Sequence, residues 1–374
     1  MNTIKTSNPV RLIAFFLTAA ILTLTFGFTV DGWTLKSEEV GSNQNSENKD
    51  DNSQDGDTIL DNSSDDEATI EPEPIIPEFI NRLTGLETTE AISKTTPLAF
   101  IMEGFDGLYG ISRSDLLIEI PIENEDTRLI SFISDTKDLW KIGSITSGRG
   151  YINNLTKYFG GISVYNGIDD KIKYDFCDIG KNSLDLSMKE GYHYTEFSDK
   201  AYTNCELITT AKSAYGISGI QPDEMTLPFV FNQFGNECIK FEKNAIKIEV
   251  KKAEGASLQL TYNKENGKYT CYQNGKTRID PLNGKMLDFK NCFILFADSV
   301  TYDNSDGCQL VMNTVGSGVG YYITEGSYTE IKWSSTLSGV MSFYLTTGEK
   351  LTINRGNSYI CYFKSSRINN ISFS

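Results

Sequence analysis

YNKENGKYTCYQNGKTRIDPLNGKMLDFKNCFILFADSV, residues 262–300, sets three Asn-Gly pairs eight or nine residues apart: Asn266-Gly267, Asn274-Gly275 and Asn283-Gly284. Asn-Gly supplies the two positive φ values of a type I′ turn, so the stretch reads as successive β-hairpins. Strand-forming runs continue at 292–300, 308–315, 320–326, 328–333, 339–345 and 358–363. Turn signals separate them at Asp303-Asn304, Gly316-Ser317-Gly318 and Thr347-Gly348. The spacing predicts an antiparallel all-β domain over 221–374.

Upstream the pattern is mixed. LAFIME (98–103), RLISFIS (128–134) and GISVYNG (161–167) are β-rich, and DLLIEIPIE (115–123) suits either strand or helix. A Gly/Ser loop, IGSITSGRG (142–150), precedes the amphipathic run YINNLTKYF (151–159). Strand, loop, helix and strand in this order predict a βαβ unit, and hence an α/β domain over 78–220. The expected fold class is therefore α+β, with the α/β half first.

Ahead of both halves, residues 12–30, LIAFFLTAAILTLTFGFTV, carry no charge. As a helix they would span about 28 Å, close to the hydrocarbon thickness of a bilayer. Lys5 and Arg11 precede the run and Asp31 follows it, which predicts a signal-anchor over 1–34 with the N-terminus in the cytoplasm. A cleaved signal peptide, cut after Gly27, is the competing reading. Either one places the rest of the chain outside the cell membrane. Residues 35–77 follow as an acidic, disordered linker: 36–77 hold thirteen acidic residues against Lys36 and Lys49 and no aromatic residue. Such a segment cannot bury enough apolar surface to offset its ordering entropy.

Of the formal charge of −16, only −6 remains from residue 78 onward. A mildly acidic folded part argues against nucleic acid, which requires a basic stripe. Seven cysteines cannot all pair, and no CxxC or Cys/His cluster appears, so neither a metal site nor a cofactor is expected. The one histidine, His193 in GYHYTEF, would have to serve any Ser-His-Asp or Cys-His set. Packing beside Tyr192 and Tyr194 explains it equally well. Asp115 and Glu119 would lie on one face if their segment were helical, and an exposed acidic pair on the surface explains them as well.

The stretch 262–300 resembles the C-terminal domain of the YerB family of Gram-positive envelope lipoproteins, as do VGSGVGYYITEG, IKW and TTGEKLTINRGNSYICYF further on. RLTGLE (82–87), PLAFIME (97–103), GISRSD (110–115) and IGSITSGRGY (142–151) extend the resemblance upstream. The resemblance implies two domains on an export anchor, without an assigned reaction. This chain lacks the lipid-bearing cysteine of that family. Thr146 stands where an arginine is usual and Tyr165 where a histidine is usual, whereas Ser147 and Arg149 match.

The polar loop with the best claim to a site is 144–150. Ser144, Thr146 and Ser147 bring hydroxyls and Arg149 a guanidinium, just ahead of a helix start whose amides could help hold a carboxylate or phosphate. The alternative is that Arg149 pairs with an acidic neighbour and Ser147 caps the helix. Tyr321, Tyr322 and Trp333 could line a groove for a glycan or peptide, or simply pack in the core. The expected function is a membrane-anchored protein of the cell envelope that binds a wall component or a membrane-protein partner. A carboxylate-dependent hydrolase of wall polysaccharide or peptide is the alternative. An open sheet edge or exposed apolar patch would favour binding, and convergent carboxylates in a groove would favour hydrolysis.

Overall fold

Four strands whose sequences are almost continuously apolar form the middle of the molecule, because each is covered on both faces. The computed structural model describes residues 75–104, 107–168, 183–196, 200–220, 226–253, 256–304 and 307–374. In the N-terminal half the longer elements are β1 (Leu98–Glu103), β2 (Leu116–Pro121), β3 (Thr127–Ile133), β4 (Ile142–Ile145), α1 (Gly150–Tyr158), β5 (Ile162–Tyr165), β6 (Ala201–Thr203) and α2 (Cys205–Ala214). The C-terminal half contributes β7 (Lys247–Ala253), β8 (Ala256–Asn263), β9 (Lys268–Gln273), β10 (Asn291–Ala297), β11 (Ser299–Asn304) and β12 (Gly307–Met312). It ends with β13 (Gly316–Thr324), β14 (Ser327–Ser335), β15 (Met341–Leu345), β16 (Ser358–Lys364) and β17 (Ile371–Phe373).

One main sheet takes strands from both halves, in the order β14-β13-β10-β16-β2-β3-β1-β4-β6. Its centre is β16, which runs parallel both to β10 and to β2. The side chains of the central strands alternate between two cores. Phe100, Leu117, Ile294 and Cys361 face a second antiparallel sheet built on β7, β8 and β9, which adds Ile248, Val250, Leu260 and Tyr269. Ala99, Ile118, Phe293 and Ile360 face the opposite layer, where Ile152, Leu155 and Tyr158 of α1 pack beside Leu310, Met312 and Phe343.

A single carboxylate connects these layers. Glu119 of β2 is fully buried and lies against Lys252 of β7, Arg278 just after β9, and the Tyr359 hydroxyl of β16. Lys252 takes one carboxylate oxygen. Arg278 takes the other at 2.6 Å, and Tyr359 donates to that same oxygen at 2.6 Å. Inward alternation after Ile248 and Val250, with a bulge between Lys251 and Ala253, turns Lys252 toward the core. Burial alone would raise the Glu119 carboxyl, but the charges of Arg278 and Lys252 outweigh it and hold the group well below its ordinary range. Two residues beyond Arg278, buried Asp280 accepts from the amides of Gly110 and Ser112 (3.1 and 2.9 Å) and from the Ser112 hydroxyl (2.7 Å). The C-terminal hairpin thereby fixes the GISRSD loop of the N-terminal half.

Several expectations are corrected. An α/β domain followed by an antiparallel all-β domain is not what forms, since strand outweighs helix by 46% to 14% and the two halves share a mixed sheet. The segment β4-α1-β5 exists, but β5 joins β1 in parallel while β4 joins β1 antiparallel, so no βαβ unit results. The all-β half is not wholly antiparallel either, because buried β16 pairs in parallel on both sides. Among the three Asn-Gly pairs, only Asn274-Gly275 has two positive φ values, 51° and 74°, between the paired Gln273 and Lys276. The other two lie in four-residue loops, in which glycine alone is left-handed.

The single-pass membrane anchor, and with it the cell-membrane localisation, is not supported: among the described residues no helix is long and apolar enough to cross a membrane. Residues 12–30, on which that expectation rested, lie outside the described residues, as does nearly all of the expected acidic linker. Residues 221–225, where the halves were expected to divide, also lie outside them.

Glu119→Gln removes the charge that Lys252 and Arg278 share while keeping the side-chain shape. Urea unfolding followed by tryptophan fluorescence is expected to show a loss of about 3–5 kcal/mol, because two cations stay buried with no carboxylate between them. A loss below about 1 kcal/mol would show that the cluster contributes little to holding the layers together.

Candidate functional site

Helix α1 forms on the residues GYINNLTKY because Tyr151, Ile152, Leu155 and Tyr158 recur on one face and are buried against the main sheet. Asn154 and Lys157 are left on the outer face. No side chain caps its first turn: Arg149 occupies the N-cap position in extended conformation, and Ser147 is half-buried beside it. The Arg149 guanidinium is buried and grips Glu123 in two places, Nη1 to Oε2 at 2.7 Å and Nη2 to Oε1 at 2.5 Å. Glu123 sits in the turn between β2 and β3 and also accepts from the Leu310 amide of β12 at 3.4 Å. Burial alone would raise its pKa, but the hydrogen bonds and charge of Arg149 outweigh burial and bring it down to about 2.

Ser144 and Thr146 are buried. The Ser144 hydroxyl donates to the Glu103 carbonyl at 2.8 Å, and the Thr146 amide to the Ile101 carbonyl at 2.9 Å. Ser144 lies in β4, and Thr146, Ser147 and Arg149 follow it in the loop before α1, yet none of the four lines either of two large open grooves among the described residues.

The groove nearest that loop runs between α1 and the β11–β12 hairpin and holds about 450 Å³. This is within the usual range of about 300–1,000 Å³ for ligand pockets. Its floor is Gly150, Tyr151 and Thr314, and one wall carries Asn154 and Lys157. Val300 and Val311, paired across the hairpin, form the other wall with Tyr302. Leu337 stands at the groove, 80% exposed, while Val300 and Tyr302 are 54% and 58% exposed. The walls are held in place from below: the Tyr158 hydroxyl donates to the Thr314 carbonyl at 3.2 Å, and the Ser335 hydroxyl to the same oxygen at 2.6 Å. The outer edge of β11 pairs with no other strand among the described residues.

A second groove of about 520 Å³ lies between the Ile111–Ser114 segment and residues 284–289. Its one carboxylate, Asp288, is paired with Lys268 at 3.2 Å. Among the described residues no carboxylate lines the groove beside α1. Among them, neither groove brings together two carboxylates, the arrangement that most glycoside hydrolases use. Asp115 and Glu119 are not a pair: four residue steps of extended chain separate them by roughly 13 Å. His193 uses Nδ1 on the Leu186 carbonyl at 2.9 Å. Trp333 and Tyr322 are core residues, the indole donating to the Phe296 carbonyl at 3.1 Å and the phenol to Asn291 at 2.7 Å.

Sequence reasoning missed Glu123, Asn154, Lys157, Tyr302 and Leu337. The alternation of Val300 and Tyr302 was visible, but nothing in the sequence brought that face opposite α1, about 150 residues away. Glu119 did leave a signal, as one acid inside the apolar run LLIEI.

Two models of one protein family match the chain. Residues 83–218 match the N-terminal domain of a protein family of unknown function, DUF3048, and residues 246–360 match its C-terminal domain. The crystal structure of the YerB protein from Bacillus subtilis is similar, with a TM-score of 0.68 at 20% identity over 79% of this chain and 100% of that one. At that identity the likeness concerns the fold. No curated protein matches the chain.

The Glu123–Arg149 pair predicts an acid-sensitive floor for the groove. Because the folded pKa of Glu123 is depressed, its contribution is complete above the unfolded value near 4.5 and is lost as pH falls toward about 2. Glu123→Gln is expected to lower stability by about 2–3 kcal/mol at pH 7, after allowing for partial exposure, and by nearly nothing at pH 2. Denaturant midpoints measured at both pH values check this, and an equal loss at both would assign the effect to packing.

Proposed function

The chain belongs to the DUF3048 family, and from that premise we propose that it is a binding protein whose groove between α1 and the β11–β12 hairpin takes a glycan or extended peptide of the cell wall. The observation that carries the reading is the chemistry of that groove. Exposed Val300, Tyr302 and Leu337 offer an apolar, partly aromatic surface, and Asn154, Asn313 and Lys157 offer hydrogen-bond donors around it. Sugar rings and extended peptides present the matching surface, with flat apolar patches between hydroxyl or amide groups. Among the described residues no carboxylate lines the groove, which supports binding without hydrolysis as the reading.

A protein partner is a second reading, favoured by one feature. The outer edge of β11 has unpaired backbone groups among the described residues, and an extended segment of another polypeptide could add to it as a strand. In that case affinity would come from the backbone, with Val300 and Tyr302 setting specificity.

Tyr302→Ala and Lys157→Ala are each expected to weaken binding of soluble wall fragments, followed by calorimetry, by about 1–2 kcal/mol, with no cleavage of the fragments. Unchanged affinity in both variants, or release of new chain ends from the fragments, would overturn the reading.

A further inference from the structure

We propose that Asn274 is a modification site, at which the folded chain loses ammonia through a succinimide and converts to aspartate and isoaspartate. Asn266-Gly267, Asn274-Gly275 and Asn283-Gly284 are each followed by a lysine, so one tripeptide, Asn-Gly-Lys, occurs three times within twenty residues. All three asparagines are exposed. Glycine puts no side chain in the way of the reaction at any of them. A difference in reactivity must therefore come from the fold.

In this reaction the glycine nitrogen attacks Cγ of the preceding asparagine and the Cγ–Nδ2 bond breaks. Nδ2 leaves as ammonia, taking up the proton of the glycine amide. Water then opens the ring at either carbonyl. Asn-Gly and water thus give ammonia and a carboxylate, and in isoaspartate the backbone runs through the β-carbon.

The electrophile is alike at the three sites. Oδ1 accepts a backbone amide each time, from Lys268 at Asn266 (3.0 Å), from Ser257 at Asn274 (2.9 Å) and from Lys285 at Asn283 (2.9 Å). The nucleophile is not alike. The Gly267 amide donates to the Asn263 carbonyl at 2.9 Å and the Gly284 amide to the Asp280 carbonyl at 2.8 Å. The Gly275 amide, at the tip of its two-residue turn, donates to no group among the described residues. The leaving group divides the sites in the same way. Nδ2 of Asn283 donates to the Ser112 hydroxyl at 2.9 Å and that of Asn266 to Asp288 at 3.4 Å, whereas that of Asn274 has no partner among the described residues. Attack by Gly267 or Gly284 must first break a loop-closing hydrogen bond, which slows it by up to about tenfold. Attack by Gly275 breaks none.

The turn at Asn274 leads into the interior. Gln273 and Lys276 pair across it, and the Gln273 side-chain oxygen accepts from Arg278, which holds Glu119. Isoaspartate lengthens the backbone of the turn by one methylene, which a two-residue loop cannot take up without disturbing the pair it joins. Modification at the tip thereby loosens Arg278.

The test holds the full chain at mildly alkaline pH, folded or in urea, and follows it by tryptic digestion and mass spectrometry. Trypsin places the three sites in separate peptides, 265–268, 269–276 and 279–285. In the folded chain the peptide of Asn274 is expected to gain its single mass unit about tenfold faster than the other two, with isoaspartate read by methyltransferase labelling. In urea the three rates should converge. Equal rates in the folded chain, or the same ranking in urea, would overturn the proposal. The isoaspartate fraction is expected to melt below the Asn274→Asp variant, which adds the charge without the methylene; equal melting would overturn the link to Arg278.

Discussion

Glu119 is one carboxylate in the middle of a sheet strand, and three segments of the other half of the chain converge on it. Lys252 reaches it from β7, Arg278 from the end of β9, and Tyr359 from β16. Burying an ion is expensive unless its hydrogen bonds are satisfied, and here each carboxylate oxygen has a cationic partner. The geometry fixes where the second sheet sits on the main one. With Asp280 holding the backbone of Gly110 and Ser112, it also makes the C-terminal hairpin a structural element of the N-terminal half. A nonpolar residue at position 119 would leave Lys252 and Arg278 buried without their carboxylate.

Once the second sheet covers one face of the main sheet, the opposite face is left to α1 and the β11–β12 hairpin. Both are short elements, and neither buries enough apolar surface to be stable alone. They are held by specific ties instead: Arg149 to Glu123, Glu123 to Leu310, Tyr158 and Ser335 to Thr314. Because the ties lie at the base, the upper surfaces of helix and hairpin stay apart and form a groove. Arg149 thus has a clear role that differs from ligand binding. Its guanidinium holds the floor on which the groove stands.

Family membership and the likeness to the Bacillus subtilis protein bear on architecture. Both family domains are present, and their strands meet in one sheet at the β2–β16 pairing. The family's description assigns no activity, so function has to be argued from surfaces. On this molecule the Glu119 and Glu123 carboxylates are each held by cations inside the fold.

Much of this molecule was legible in its sequence. Strand positions in the C-terminal half, the helix at 150–158 and the core role of Trp333 all follow from local patterns, because alternation, helical spacing and turn residues act over a few positions. The motifs GISRSD and RIDPLNGK could be recognised as well, but not that Asp280 of the second holds the backbone of the first. Strand direction was not legible: β16 is as apolar as any buried strand, and only its neighbours make it parallel to both. The fate of charged residues was hidden for the same reason. For Arg149 the sequence left ligand binding and pairing with an acidic neighbour both open, and it is Glu123 that engages it, while Glu119 stood out as an acid in an apolar run without showing which cations would meet it. Sequence records what a residue can do at short range. Its partner across 133 or 159 positions, as for Glu119 with Lys252 and Arg278, is decided when the sheets close, since only then do desolvation and pairing compete at one place.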